Sequence, residues 1–271
     1  MKKDHLIIVR GGGDLATGTI HTLWSAGFPV LSLEAARPAA IRRQVSICEA
    51  VYEGVARVED MEAVRIRDVS ETASVWREGK VPLLVDPEGD SIRLLHPDAV
   101  VDAILAKRNL GTTRDMAPLT VALGPGFTAG KDVDVVIETM RGHNLGRIIR
   151  EGSALPNTGI PGNIAGFSEE RVMHAPADGV LFGVHQIGDF VEKGTPIARI
   201  RTSSGKEVPV NASLSGIIRG LIRDNYPVTE GFKVADIDPR KSEYENCFTI
   251  SDKARCIAGS VLQVICEKLC Q

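Results

Sequence analysis

Four apolar residues, Leu6 to Val9, run straight into "RGGGDLATGT" (10–19), after which Ile20, Leu23 and Trp24 recur at helical spacing. A short apolar run without alternation is what a parallel strand covered on both faces requires. The glycines allow a sharp turn and a close backbone approach, and the helix that follows begins with unpaired N–H groups. Gly27 ends the helix and "PVLSLE" (29–34) reads as a second strand, which makes the opening a right-handed βαβ unit.

The loop fits G-x-G-x-x-A at Gly11, Gly13 and Ala16. Glu34 stands at the distance, roughly 20 residues on, where the dinucleotide fingerprint places its ribose-binding acid. Gly11, Gly13, Asp14 and Thr17 are therefore candidates for holding phosphate, with Glu34 for a ribose. Asp14 either caps the helix or opposes a phosphate, and Arg37, Arg42 and Arg43 leave a 2′-phosphate open. The competing reading is a strand-to-helix turn with no ligand. A second loop, "GPGFTAGKD" (124–132), adds Gly124 and Gly126 as an anion site or a tight turn. In "ETMRGHNLGR" (138–147), Arg141, His143 and Arg147 are candidates for the reactive end. Arginine forks suit carboxylates or phosphates, and histidine exchanges protons near neutral pH. A solvated, salt-bridged loop is the alternative, and Asn157 and Thr158 lie downstream within reach of the same argument.

Strands are expected at 81–86, 119–123 and 133–139, with a helix over "HPDAVVDAILAKRN" that starts near Pro97. Residues 1–171 are accordingly expected to form a Rossmann-like α/β domain around a parallel sheet. Beyond it, residues 174–200 align without gaps to 211–237, with Gly179, Gly183 and Gly194 matching Gly216, Gly220 and Gly231. That repeat resembles the lipoyl/biotinyl-type barrel-sandwich hybrid, expected over 172–240. Lys206 lies in the hairpin where a carrier lysine would be, but the Ser-Ser-Gly turn lacks the flanking pattern of a modified one. Residues 241–271 are expected to be helical and to pack on the α/β domain, with Ser251 as N-cap and Ile257, Ala258, Val261, Leu262, Ile265 and Leu269 in one stripe.

Net charge is −3, which leaves no cation excess for nucleic acid. No apolar run reaches membrane-spanning length, and the N-terminal run stops at Arg10, too soon for a secretory signal. These features and an odd count of five cysteines lead to the expectation of a cytoplasmic protein. Cys256, Cys266 and Cys270 lack further ligands at metal spacing, so no metal is assigned. G-x-S-x-G, H-E-x-x-H and Walker A patterns are absent, and whether the chain is an enzyme stays open.

The segments "RGGGDLATGTIHTLWSAGFPVLSLE", "AIRRQVSICEAVYEG", "DAILAKRNLGT", "LGPGFTAGKDVDVVIETMRGHNLGRII" and "DIDP" together resemble the YqeB family of selenium-dependent molybdenum hydroxylase accessory proteins. The first segment is also similar to the Rossmann part of the xanthine dehydrogenase accessory (XdhC) proteins. The resemblance implies a maturation factor with a molybdenum hydroxylase client and a nucleotide-like ligand, either a molybdenum cofactor or NAD(P). A free-standing NAD(P)-dependent oxidoreductase and a client-binding module with a vestigial nucleotide fold are the alternatives. A homo-oligomer stays open.

Overall fold

The computed structural model describes residues 4–160 and 162–269; Cys270, named above, lies outside them. The chain divides into two units. The first comprises the described residues up to Pro38, then Val45–Thr158, then those from Ile250 onward; the second comprises Ala39–Gln44 and Gly159–Thr249.

In the first unit β1 (Ile7–Arg10), α1 (Asp14–Ser25) and β2 (Val30–Glu34) form the opening. They are followed by α2 (Ala50–Glu53), the hairpin β3 (Val55–Val58) and β4 (Met61–Ile66), then α3 (Thr72–Arg77), β5 (Val81–Val85) and α4 (Asp90–Leu95). Next come β6 (Ala99–Asp102), β7 (Thr120–Leu123), β8 (Thr128–Ala129), β9 (Val135–Ile137), β10 (Ile148–Ile149) and β11 (Gly152–Ser153). Nine of these strands make one sheet in the order β10-β9-β7-β6-β1-β2-β5-β4-β3. The interior pairs are parallel, while β3 and β10 close the two edges antiparallel. β8 and β11 pair separately.

Ile7 and Val9 point into one core and Ile8 into another, so β1 is buried on both faces. α5 (Asp252–Leu269) returns to the first unit and lies on α1. Gly18 permits that approach, because a Cβ there would stand 2.7 Å from the Ala254 Cβ.

The second unit holds β12 (Val172–His174), β13 (Gly179–Gly183), β14 (Phe190–Val191) and β15 (Pro196–Arg201). It continues with β16 (Glu207–Asn211), β17 (Gly216–Leu221), β18 (Tyr226–Val228) and β19 (Lys233–Asp238). They form two antiparallel sheets, β12-β19-β17-β14 and β16-β15-β13-β18, each drawing strands from both copies of the repeat. The repeat extends to single atoms. A Cβ on Gly179 would collide with the Arg201 carbonyl, and one on Gly216 with the Asp238 carbonyl, the same contact displaced along the sequence. The 39–44 segment joins this unit: Leu221 N–H donates to the Ile41 carbonyl at 2.8 Å, and Gly220 lies against Ile41.

Two expectations are corrected. The Rossmann-like parallel sheet with a barrel-sandwich domain gives way to a nine-stranded mixed sheet and two four-stranded antiparallel sheets. No α-helix stands between β6 and β7 or between β7 and β9, where a doubly wound fold would need crossover helices, and no ladder joins the two small sheets among the described strands. The helix expected over 96–109 is instead β6, whose Ala99, Val100, Val101 and Asp102 are all buried between β1 and β7. Tertiary pairing of β-branched residues overrides the helical spacing there.

Candidate functional site

The glycine loop sits at the carboxyl ends of the parallel strands. The strand order turns back at β1, with β2 on one side and β6 on the other, the place where open α/β sheets gather ligands. Gly11 takes φ 106°, and a Cβ there would stand 2.8 Å from the Ala103 carbonyl oxygen, so only glycine fits. Its N–H donates to the Leu33 carbonyl at 2.7 Å. Gly12 donates to Glu34 Oε2 at 2.7 Å, and its carbonyl accepts from Cys48 N–H at 2.9 Å and from Thr17 Oγ1 at 3.1 Å. Thr17 Oγ1 in turn accepts from Ile47 N–H at 3.0 Å. The Ile47–Glu49 turn is thereby fastened across the loop, with Cys48 against the face of Gly12.

Gly13 differs from its neighbours. It is extended (φ −68°, ψ −179°), caps α1, and has nothing within 4 Å of where a Cβ would stand. Asp14 opens the helix, and its carboxylate accepts from Leu15 N–H at 2.9 Å.

Electrostatically the loop is acidic. Glu34 Oε1 accepts from Ala35 N–H at 2.7 Å; burial pushes its carboxyl above the ordinary value, and the two backbone hydrogen bonds oppose that shift. Burial holds the Cys48 thiol well above the ordinary range, reinforced by Glu34, Glu49 and Asp14, so it stays a neutral thiol. Compensating charge comes from α5. Lys253 interacts with Asp14 and Glu138, and burial followed by the Arg141 charge lowers its ammonium pKa.

Beneath the loop lies a buried polar strut. Arg10, 2% exposed, donates from Nη1 to Thr112 Oγ1 at 2.6 Å and from Nη2 to the Pro87 carbonyl at 2.7 Å. Thr112 Oγ1 donates onward to Asp102 Oδ2 at 2.6 Å. Burial raises the Asp102 carboxyl, with Thr112, Ile104 N–H and Arg10 pulling the other way.

The remaining candidates spread out. Gly124 (φ 77°) stands opposite Thr139 Oγ1, and Gly126 (φ 111°) opposite the Arg108 backbone. Arg141, His143 and Arg147 are all exposed. Arg141 pairs with Asp252 at 3.1 Å, and neither His143 nor Arg147 makes a side-chain hydrogen bond to another described residue. Glu138 is buried and holds the loop by accepting from Met140 N–H and Leu155 N–H. Arg42 and Arg43 donate to the Asn246 and Leu221 carbonyls within the second unit. The structure thus gathers Gly11, Gly13, Asp14, Thr17 and Glu34 around one strand-to-helix turn and leaves Arg141, His143 and Arg147 outside its hydrogen bonds.

Sequence reasoning missed Cys48, Lys253 and the Arg10–Thr112–Asp102 strut. An arginine closing a fully apolar strand was the one available signal, since a buried guanidinium demands partners.

No family model matches the chain. Over 270 residues, 98% of this chain, it is 46% identical to the uncharacterized protein YqeB of Escherichia coli strain K12. This chain is similar to YqeB along nearly all of its own length. It spans 49% of the YqeB length. The resemblance of the first segment to XdhC proteins is not shown.

Among solved structures, the ectoine utilization protein EutE (DoeB) of Ruegeria pomeroyi is 13% identical with a TM-score of 0.29, over 87% of this chain and 86% of that one. A succinylglutamate desuccinylase/aspartoacylase of Rhodobacter sphaeroides is 15% identical with a TM-score of 0.29, over 87% and 86%. An aspartoacylase family protein of Mesorhizobium loti reaches 0.31 at 13% identity, over 87% and 85%. Nothing about activity follows from likeness at this level.

Proposed function

We propose that this chain is an accessory protein for the maturation of a selenium-dependent molybdenum hydroxylase, and that its first unit holds a dinucleotide-type ligand, a molybdenum cofactor or NAD(P). The observation that carries the ligand is Gly13: an open, unstrained position at the start of a twelve-residue helix. Helix N-termini of this kind offer unpaired N–H groups and a positive dipole end to phosphate. Lys253 supplies a cation against the acidity of Asp14. Each Glu34 oxygen accepts one backbone hydrogen bond and keeps a lone pair for a ribose hydroxyl. The maturation role rests on the family resemblance carried by the motifs in the sequence, the similar YqeB protein being itself uncharacterized.

Native mass spectrometry of protein purified from its own organism, with titration of NAD⁺ and NADP⁺, tests the ligand. Gly13→Asp is the matched variant, because its backbone suits any residue and the new carboxylate repels phosphate. The expected result is a folded variant without retained ligand and with impaired client maturation. No bound molecule in the wild type, together with full client maturation by Gly13→Asp, overturns the proposal.

The Cys48 cover over Gly12 favours a second reading, a client-binding module without ligand. Client pull-down that survives Gly13→Asp, with no retained molecule, selects it.

A further inference from the structure

A second group of side chains, on the flank of α1, has no part in the glycine loop. His21 Nε2 lies 2.7 Å from Asp60 Oδ1 and 4.0 Å from Glu59 Oε2, and all three ligand atoms fall within 4.8 Å of one another. His21 comes from α1, and Glu59 with Asp60 forms the tip of the β3–β4 hairpin.

Two of the three are held in place. Glu59 Oε1 accepts from Ile250 N–H at 2.8 Å and from Arg255 Nη2 at 3.0 Å, leaving Oε2 as the oxygen near His21. The His21 ring packs at a tilt on Trp24, centroids 5.8 Å apart, and Trp24 is anchored by donating Nε1–H to the Gly79 carbonyl at 2.8 Å. Such outer partners are what orient ligands at metal centres. The imidazole and the Glu59 carboxylate are each about one-fifth exposed, whereas Asp60 is open to solvent.

We propose that His21, Glu59 and Asp60 bind a first-row divalent metal ion of the zinc type. One imidazole nitrogen and two carboxylate oxygens match that class, while a nitrogen ligand disfavours magnesium and calcium. Bonds of about 2.0–2.2 Å separate tetrahedral neighbours by roughly 3.3–3.6 Å, a spacing that small side-chain shifts produce from the observed set. Water completes the coordination on the exposed side. The ion ties the hairpin tip to α1, with Arg255 acting as a positioning residue through Glu59.

Co²⁺ added to the full chain is the probe, and Trp24 fluorescence is the readout because the indole adjoins the ligand ring. The expected result is saturable quenching that Zn²⁺ reverses and Trp24→Phe removes. His21→Ala and Asp60→Asn each weaken Co²⁺ binding by at least about tenfold. Asp60 is exposed, so Asp60→Asn decides the matter even if His21→Ala disturbs α1. Quenching that is absent, or unchanged in Asp60→Asn, overturns the proposal and leaves a plain His21–Asp60 ion pair.

Discussion

Replacing Thr112 by valine removes one hydroxyl and nothing else from the strut between Arg10 and Asp102. The shape is kept, so no cavity contributes. Two hydrogen bonds of 2.6 Å are lost, each with one charged partner. Hydrogen bonds to charged groups contribute roughly 1.5–3 kcal/mol each. Arg10 keeps the Pro87 carbonyl, Asp102 keeps Ile104 N–H at 3.2 Å, and their attraction persists, which puts the loss near the lower bound, about 3 kcal/mol. For a unit of this size that is a fall in Tm of about 6–12 °C. The loss also depends on pH. The native Asp102 carboxyl is raised above its ordinary value, so its contribution is full at low pH and disappears as pH rises through the native value. Thr112 restrains that rise, and without it the native value moves higher still. The Thr112→Val penalty is therefore smallest at acid pH, where Asp102 is protonated with or without the hydroxyl, and largest at neutral pH and above. Urea unfolding at several pH values measures it. A loss below about 0.5 kcal/mol at neutral pH, or one that grows on acidification, refutes the strut.

The glycine loop gives a paired contrast: Gly11→Ala costs about 2–3 kcal/mol from its left-handed backbone and the Ala103 carbonyl, while Gly13→Ala unfolds at nearly the wild-type urea concentration. Gly18→Val costs roughly 1–3 kcal/mol by forcing α5 away from α1, and pairing Gly18→Ala with Ala254→Gly recovers most of the stability seen with Gly18→Ala alone lost. Thiol labelling of the native protein at pH 8 modifies the exposed Cys256 and spares Cys48, which reacts only after unfolding; rapid native labelling of Cys48 contradicts its burial over Gly12.

What could be read from the sequence was local. The strand, turn and helix of residues 7–25 lie side by side in the chain, and their signals are a buried run, glycines and a 3.6-residue spacing. Residues 99–102 show where that ends. Val100, Val101, Ile104 and Leu105 suit a helix face as well as a strand, and only β1 and β7 on either side decide between them. The candidate site follows the same division. Glu34 was legible because the fingerprint fixes its distance from the glycines, whereas Cys48 reaches Gly12 through an irregular segment with no period to detect. Lys253 approaches Asp14 from a helix more than two hundred residues away in sequence, and the His21 group joins positions 39 residues apart. Spacing rules carry no information about such meetings.

The docking of α5 on α1 also bears on how the chain is made. A ribosome delivers residues 159–249 before the helix that completes the core around α1. During that interval Ile20 and Leu23 lack the covering supplied by Ile257, Val261 and Ile265. The second unit, whose sheets draw strands from both copies of the repeat, can fold in the meantime, once the 39–44 segment has been captured. A nascent chain stalled before residue 250 should therefore expose its oldest helix to chaperones, and synthesis of α5 rather than of the glycine loop sets the moment at which that loop becomes usable.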